Sequence, residues 1–258
     1  MKKLRINGKV LGKKNQPLIC TPVVGKTRGD VMEELATIIP KRPDLLEWRV
    51  DFFEGFGDIA AVIGLASEMK SMAGDIPVIF ACRSLNEGGG SNALNESDVL
   101  KLYVAACASR CIDIIDYEMS NAAANVAMLR EVSRDNGVLM IMSYHNHQFT
   151  PDGAELTEKF IDAERLGGDV AKIVVMPRSS KDVLTLLGAT LKASRTVRIP
   201  LVGMSMGETG SISRIAGWFF GSSITFAVGK HGSVPGQMTI EELRPVLASV
   251  RHAALGLC

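Results

Sequence analysis

A regular alternation of two kinds of segment runs along the whole chain. Short apolar runs rich in β-branched residues recur eight times, beginning at Pro17, Leu45, Pro77, Ile112, Val138, Val170, Pro200 and Ile224. Between them lie segments such as VMEELATII and SKDVLTLLGATLKAS, whose apolar residues recur at the three- and four-residue spacing of an amphipathic helix. The sequence therefore predicts a strand followed by a helix, eight times over.

The spacing of these units favours a closed barrel. The strand starts lie 24 to 35 residues apart, which is the size of one βαβ unit. The strands are almost continuously apolar, as strands buried on both faces of a parallel sheet are. Eight such units without a linker or a shift in composition predict a (β/α)₈ TIM barrel forming one domain over residues 1–258. Residues 1 to 16 precede the first strand and are expected to close the barrel floor.

A doubly wound open sheet is the alternative fold. If such a sheet bound a dinucleotide, a glycine fingerprint would follow an early strand, and VVGKTRGD after the first strand lacks the G-x-G-x-x-G spacing. The glycine-rich EGGGSNAL is no phosphate-binding loop, because Gly-Lys-Ser/Thr does not follow it. The barrel remains the preferred prediction.

Charge and cysteine content limit the classes of partner. Lysine and arginine number 29 against 28 aspartate and glutamate, without a long basic run, which argues against a nucleic-acid-binding protein. The basic N-terminus lacks an apolar core, and no run is long enough for a membrane span, so we expect a cytoplasmic protein. Free thiols in a reducing compartment are expected for the five scattered cysteines, Cys20, Cys82, Cys107, Cys111 and Cys258.

Polar residues cluster at the predicted carboxyl ends of the strands, where TIM barrels carry their chemistry. In LLEWRVD, alternation puts Glu47, Arg49 and Asp51 on one face of the strand, and by the same parity Asp116 and Glu118 share a face in IIDYE. A ladder of structural ion pairs filling the barrel is the simpler interpretation of these charges. The alternative is a site, to which further polar residues at strand ends would contribute: Thr21, Arg83, Glu87, Ser143, His145, Lys172, Ser205, Arg214, Ser233 and Gln237.

Lys172 is the one charge in the apolar run VAKIVVM. A buried ammonium loses hydration, so this lysine either pairs with a carboxylate inside the barrel or acts as a nucleophile. Desolvation and nearby cations lower the pKa of a lysine, and the neutral amine can attack a carbonyl to form a Schiff base. We therefore expect Arg49, Arg83 and Arg214 to favour a neutral amine.

His145 follows the fifth strand and can converge with Lys172 over the barrel mouth. Glu87, in the loop after the third strand, could orient its ring, which favours a general acid and base. His147 lies two residues further on, so a metal site of the His-x-His type is an alternative. Arg214, near the start of a helix after the seventh strand, could hold a carboxylate or phosphate. Residues 229–237, rich in glycine and proline, are a candidate lid.

Taken together, EWRVD, CRSLNEGG, MSYHN, AKIVVMP, MSMGETGSISR and SVPGQ resemble type I 3-dehydroquinate dehydratases in order and spacing from about Pro17 to about Val250. The resemblance implies a (β/α)₈ barrel, commonly a homodimer, that dehydrates 3-dehydroquinate to 3-dehydroshikimate without metal or dissociable cofactor. It implies that Lys172 forms the Schiff base, that His145 moves protons and that Glu87 positions His145. The substrate-binding residues it implies are Thr21, Glu47, Arg49, Arg83, Arg214, Ser233 and Gln237.

Two rival functions remain open at this stage. A Schiff-base aldolase or transaldolase would share the lysine but cleave a carbon–carbon bond. A non-catalytic barrel would use the inward charges only for packing. The sequence also departs from the relatives at His147, which leaves two imidazoles as candidates for proton transfer.

Overall fold

Eight parallel strands surround the centre of the protein. The computed structural model describes residues 3–12, 17–90, 94–230 and 237–254. Within them, the strands of the large sheet are β3 (Leu18–Val23), β4 (Leu45–Arg49), β5 (Val78–Ala81), β6 (Ile114–Glu118), β7 (Leu139–Asn146), β8 (Val170–Val175), β9 (Leu201–Ser205) and β10 (Ile224–Phe226). They are ordered β10-β3-β4-β5-β6-β7-β8-β9, and all of their pairings are parallel.

The barrel closes between β9 and β10 through sparse contacts. Leu201 of β9 forms a single parallel bridge with Ser222, just before β10. The backbone N–H of Ser223 donates to the carbonyl of Leu201 at 2.7 Å. The barrel is therefore nearly closed, and the doubly wound alternative is wrong, because the strands follow chain order around a ring in which β3 lies between β10 and β4.

Helices follow each barrel strand on the outside. In the described chain they are α1 (Arg28–Ile38), α2 (Ile59–Ala73), α3 (Glu96–Ala108), α4 (Ala123–Asp135), α5 (Gly153–Arg165), α6 (Ser180–Thr196), α7 (Ser211–Ala216) and α8 (Ile240–Ala254). The predicted periodicity holds in α1, where Val31, Leu35 and Ile38 are buried. Thr27 starts that helix because its hydroxyl accepts from the N–H of Asp30.

Aromatic rings pack between the strands and the helices on one side of the barrel. Trp48, Phe80, Tyr103 and Tyr117 are all buried and meet edge to face, with successive ring centroids 5.7, 5.2 and 5.1 Å apart. The hydroxyl of Tyr103 donates to the carbonyl of Asp116 at 2.6 Å. This layer therefore fixes the backbone of β6, which carries an inward carboxylate.

The N-terminal segment closes the barrel floor, as predicted. Its strands β1 (Leu4–Ile6) and β2 (Lys9–Leu11) form an antiparallel hairpin. Leu4 and Leu11 are buried in the same apolar cluster as the inward residues Leu45, Ile79 and Ile141. This end of the barrel is therefore packed shut, and the opposite end remains for a site.

Two expectations from composition can be compared with the structure. Cys20, Cys82, Cys107 and Cys111 are free, as predicted, whereas Cys258 lies outside the described residues. No helix in the described part of the chain has the length and apolar character needed to cross a membrane.

Candidate active site

A cavity of about 280 Å³ opens at the carboxyl ends of the strands. Eight of the ten catalytic and substrate-binding residues that the resemblance implies line it: Glu47, Arg49, Arg83, Glu87, His145, Lys172, Arg214 and Gln237. Of the other two, Thr21 is fully buried in β3 and is not among the lining residues, and Ser233 lies outside the described residues. The lid predicted for residues 229–237 falls largely on residues that are not described.

The register of the central strands brings the inward polar residues together. Lys172 of β8 lies opposite Ser143 of β7, and Ser143 lies opposite Glu118 of β6. Asp116 points to the same side as Glu118 because side chains two residues apart share a face. The alternation seen in the sequence therefore becomes a layer of charged and hydroxyl groups beneath the cavity.

Lys172 lies between two carboxylates at the bottom of the cavity. Its side chain is 4% exposed, and Nζ donates to Oε1 of Glu47 at 2.7 Å and to Oδ2 of Asp116 at 2.8 Å. Burial lowers the pKa of Lys172, but the charges of Asp116 and Glu47 outweigh it and raise the pKa above its ordinary value. The expectation of a neutral amine is wrong for this state of the site, since the two carboxylates favour the ammonium.

Asp116 was predicted to point inward among the polar residues at the strand ends, but the sequence pattern indicated no catalytic or substrate-binding role for it. Its Oδ1 lies 2.9 Å from Nη2 of Arg83 and accepts from Oγ of Ser143 at 2.6 Å, and its Oδ2 accepts from Lys172. Burial raises the pKa of Asp116, but Arg83 and Lys172 outweigh it and hold the pKa far below its usual range. The available signal was parity in IIDYE together with the buried lysine on a nearby strand.

His145 and Glu87 form a hydrogen-bonded pair at the wall of the cavity. Nδ1 of His145 lies 3.0 Å from Oε2 of Glu87, and the same oxygen accepts from the backbone N–H of His145 at 2.9 Å. The hydroxyl of Ser120 donates to Oε1 of Glu87 at 3.0 Å. A carboxylate at Nδ1 favours the tautomer with the proton on that nitrogen, which leaves Nε2 with a lone pair.

The pKa shifts of His145 and Glu87 suit His145 to act as a base. Burial lowers the pKa of His145 well below its ordinary value, and Arg83 and Lys172 add to that effect, so the ring is neutral at pH 7. Burial and the nearby Glu118 raise the pKa of Glu87 to about 7, against the opposing effect of Arg83. The predicted pairing of Glu87 with His145 is present in the geometry.

His147 occupies a different position, at the rim of the cavity. Its half-buried ring interacts with the backbone carbonyl of Glu87 and packs against Gly88. A Cβ added at Gly88 would lie 2.3 Å from Nε2 of His147, and Gly88 has a φ of +82°, so glycine is required there on both counts. In the described chain, no group of three or more histidine, cysteine, aspartate and glutamate residues is arranged to hold a metal ion, so the His-x-His metal alternative has no support there.

Arg214 is a buried cation that lines the cavity beside β9 and β10. It is 2% exposed, and Nη1 contacts Sδ of Met204 at 2.8 Å and the carbonyl of Phe226 at 3.5 Å. Burial lowers its pKa to about 10, and among the described residues no carboxylate lies within ion-pair distance. A buried guanidinium in this state favours an incoming anion.

Arg49 is held by a structural ion pair. Its guanidinium binds both carboxylate oxygens of Asp51, at 2.9 and 2.8 Å, and Asp51 also accepts from the backbone N–H groups of Arg83 and Gly90. The structural interpretation of Asp51 therefore fits, because its carboxylate is saturated by donors. It anchors the loop after β5 to β4, which places Arg83 and Glu87 around the cavity.

Comparisons with a family model and with curated proteins give consistent matches. The family model described as Type I 3-dehydroquinase matches residues 19–253. The chain is 52% identical to the 3-dehydroquinate dehydratase of Albidiferax ferrireducens, over 98% of this chain and 96% of that protein. It is 44% identical to the 3-dehydroquinate dehydratase of Aromatoleum aromaticum, over 98% of this chain and 97% of that protein.

Solved structures give the same result at the level of the fold. The crystal structure of 3-dehydroquinate dehydratase from Geobacillus kaustophilus superposes with a TM-score of 0.95 at 42% identity, covering 97% of this chain and 96% of that one. The type I enzyme of Clostridium difficile, crystallised with covalently modified comenic acid, gives a TM-score of 0.94 at 33% identity, covering 98% and 99%. This chain belongs to the type I 3-dehydroquinase family.

Proposed function

We propose that this protein is a hydro-lyase that dehydrates 3-dehydroquinate to 3-dehydroshikimate in the biosynthesis of aromatic amino acids. One observation carries the proposal: a buried lysine amine and a neutral histidine, itself bonded to a carboxylate, line the same cavity. An amine can form an imine with a ketone, and an imidazole can remove a proton from the adjacent carbon. Family membership specifies the ketone as 3-dehydroquinate.

The first step is formation of an imine between Lys172 and the C3 ketone of the substrate. The proton on a carbon beside a ketone is weakly acidic, whereas a protonated imine accepts the electrons of the breaking C–H bond as an enamine. Lys172 is placed for this step because it lines the cavity, and hydrogen bonds to two carboxylates position its Nζ. Covalent attachment also fixes the substrate ring relative to His145.

In the second step, Nε2 of His145 takes the C2 proton, and the resulting imidazolium protonates the leaving C1 hydroxyl. Electrons from the C2–H bond pass into the enamine and then expel the hydroxyl as water. Glu87 holds the ring through Nδ1 and stabilises the imidazolium while it exists. Hydrolysis of the imine then releases the product and Lys172.

A pH profile tests the role of Glu87. Below its pKa of about 7, Glu87 becomes protonated and can donate to Nδ1 of His145, which shifts the ring proton to Nε2 and removes the basic lone pair. We expect kcat/KM to be constant above this pKa and to fall about tenfold per pH unit well below it. In Glu87→Gln this limb should disappear, at a lower plateau; the same limb in the variant would contradict the assignment.

Arg214 is proposed to hold the substrate carboxylate. Arg214→Ala removes a charge-assisted interaction in a desolvated site, so we expect KM to rise about 30-fold or more with a smaller change in kcat. Arg178→Ala is the matched control, because Arg178 is exposed and lies outside the cavity. Steady-state kinetics of both variants provide the measurement, and an unchanged KM in Arg214→Ala would reject the role.

The remaining substrate contacts are assigned by the resemblance and by position in the cavity. Arg49, Arg83, Glu47 and Gln237 line it and can reach hydroxyl groups of a bound ring. We retain Thr21 and Ser233 as proposed contributors on the resemblance alone. The geometry does not favour Thr21, because its side chain is fully buried and it is not among the residues that line the cavity.

One assay tests the function directly. Dehydration creates a carbonyl conjugated with a carbon–carbon double bond. Turnover of 3-dehydroquinate should therefore increase the ultraviolet absorbance directly, without a coupling enzyme. Borohydride added with substrate should reduce the imine and leave a stable adduct on Lys172, detectable by mass spectrometry. A folded protein that gives neither signal would favour the aldolase alternative.

We further propose that residues 1–258 act as one barrel domain, as a homodimer in the cytoplasm, without a metal or dissociable cofactor. The resemblance to the family supports the dimer and the cofactor-free chemistry, and the basic N-terminus without an apolar core supports the cytoplasmic location. Light scattering of the purified protein measures the oligomeric state, and activity after treatment with a chelator tests for a metal.

A further inference from the structure

We propose that Glu47 is a catalytic proton carrier in imine formation: it takes the proton that Lys172 must lose and returns it to the hydroxyl that leaves as water. The inference rests on the proposed function and concerns the same cavity. It gives Glu47 a role beyond binding a substrate hydroxyl. Its basis is the position of Lys172 between Glu47 and Asp116, whose carboxylates differ in their access to the cavity and in the number of donors that they bind.

The need for such a group follows from the protonation of Lys172. An ammonium has no lone pair, so it cannot attack a ketone until it loses a proton. Nζ of Lys172 contacts two acceptors in the described chain, Oε1 of Glu47 at 2.7 Å and Oδ2 of Asp116 at 2.8 Å. His145 is bonded to Glu87 through Nδ1 and is not among the hydrogen-bond partners of Nζ. The first acceptor is therefore one of the two carboxylates.

Asp116 is poorly placed to take the proton. Its carboxylate accepts from Arg83, Ser143 and Lys172 at once, and protonating it would weaken the buried pair with Arg83. It is fully buried beneath the cavity and is not among the lining residues, so it could not pass a proton to a bound molecule. Its role is to position Lys172 and Arg83.

Glu47 has the opposite properties. It lines the cavity, and the hydrogen bond from Lys172 is the one that its carboxylate receives from the described residues. The charged and titratable groups around it are Lys172 on β8, Asp116 on β6, Arg83 after β5 and the thiol of Cys20 on β3. When the ammonium of Lys172 gives up its proton to Glu47, the carboxylic acid formed faces the space that the substrate occupies.

The proton transfers balance. One ammonium proton moves from Lys172 to Glu47, and the free lone pair forms the C–N bond to C3 while the C=O π electrons move to oxygen. A second proton moves from that nitrogen to the oxygen, which gives a neutral carbinolamine. Glu47 then protonates the hydroxyl, the C–O bond breaks to release water, and the nitrogen lone pair forms the protonated imine. Glu47 ends as a carboxylate, ready to act in reverse during hydrolysis.

The rate of imine formation tests this role. Protein is mixed with saturating 3-dehydroquinate and quenched at increasing times with borohydride, and the reduced adduct on Lys172 is measured by mass spectrometry. We expect Glu47→Gln to slow adduct formation about 100-fold or more at pH 7 and to recover as pH rises, because hydroxide then removes the proton. Saturating substrate separates this effect from weaker binding. Glu68→Gln, a change at a partly exposed carboxylate on α2, is the control and should trap at the wild-type rate.

The alternative roles of Glu47 predict different outcomes. If Glu47 only attracts the ammonium, its removal lowers the pKa of Lys172, and adduct formation at pH 7 is as fast as in the wild type or faster; that result overturns the proposal. Glu47→Asp keeps an acid one carbon shorter, and we expect a rate between those of the wild type and Glu47→Gln. If Glu47→Gln does not fold, Glu47→Ala replaces it in the same assay, because it also lacks the carboxylate, and adduct formation at the wild-type rate in Glu47→Ala would overturn the proposal. Failure of the wild type itself to trap would instead reject the imine mechanism.

Discussion

Replacing Lys172 with methionine is expected to reduce turnover of 3-dehydroquinate by about 10⁴-fold or more and to abolish the borohydride adduct. Methionine fills much of the same volume but has no amine, so the imine cannot form. What remains is noncovalent binding and the proton-transfer pair of His145 and Glu87. The initial rate of enone formation, together with the mass of protein treated with substrate and borohydride, measures both effects.

The Lys172→Met variant is expected to lose stability as well as its nucleophile, so the two effects need separate measurements. Without the ammonium, the buried carboxylates of Glu47 and Asp116 lose the cation that they share. Removing one partner of a comparable buried ion pair lowers the free energy of unfolding by roughly 3 to 5 kcal/mol. Lys172→Arg is the matched control, because it keeps a cation between the carboxylates but cannot form an imine. We expect it to be inactive as well and to unfold at a higher temperature than Lys172→Met. Turnover in either folded variant above one per cent of wild type would reject Lys172 as the nucleophile.

Replacing His145 with alanine is expected to reduce kcat by about 10² to 10⁴-fold while leaving the imine intact. The lost group moves the C2 proton, a step that follows imine formation. Borohydride should therefore still trap an adduct on Lys172, and its mass should correspond to bound substrate rather than product. This combination distinguishes a proton-transfer residue from one that is needed for attachment.

His147→Ala is the control for that experiment, because both imidazoles line the cavity. The ring of His147 lies against Gly88 and the backbone of Glu87, whereas His145 has the carboxylate that orients a base. We expect His147→Ala to retain kcat within about tenfold, since its effect on Glu87 is indirect. A reversed pattern, with an active His145→Ala and an inactive His147→Ala, would transfer the role to His147.

The fold could be predicted from local pattern. Each of the eight apolar runs became a barrel strand, because parallel strands buried on both faces leave a signal of continuous β-branched residues. The hairpin of β1 and β2 was predicted only as a segment that closes the floor. Its strands are three residues each, too short to show a period, and they exist because Leu4 and Leu11 complete the apolar cluster at the bottom of the barrel.

The sequence predicted which residues line the site but not the protonation state of its lysine. Parity and strand order correctly placed Glu47, Lys172 and His145 around one cavity. The protonation of Lys172 was predicted wrongly, because the sequence shows the arginines at the strand ends but not that two carboxylates lie within hydrogen-bond distance of Nζ and raise its pKa. Asp116 was placed among the inward polar residues without a role. Its three partners lie after β5, on β7 and on β8, and only the register brings them together.

The sparse closure between β9 and β10 leaves one weakly bonded seam in the barrel wall. In the described chain, the ion pairs around Lys172 join residues on or just after β4, β5, β6 and β8, so none of them crosses the seam. Arg214 follows β9 and Gln237 follows β10, so these two cavity residues flank the seam. Substitutions that widen or reshape the seam can alter which ring is admitted without disturbing the ion-paired groups. In an evolving lineage, substrate range can therefore drift at the seam while the imine chemistry is conserved on the strands that the ion pairs join.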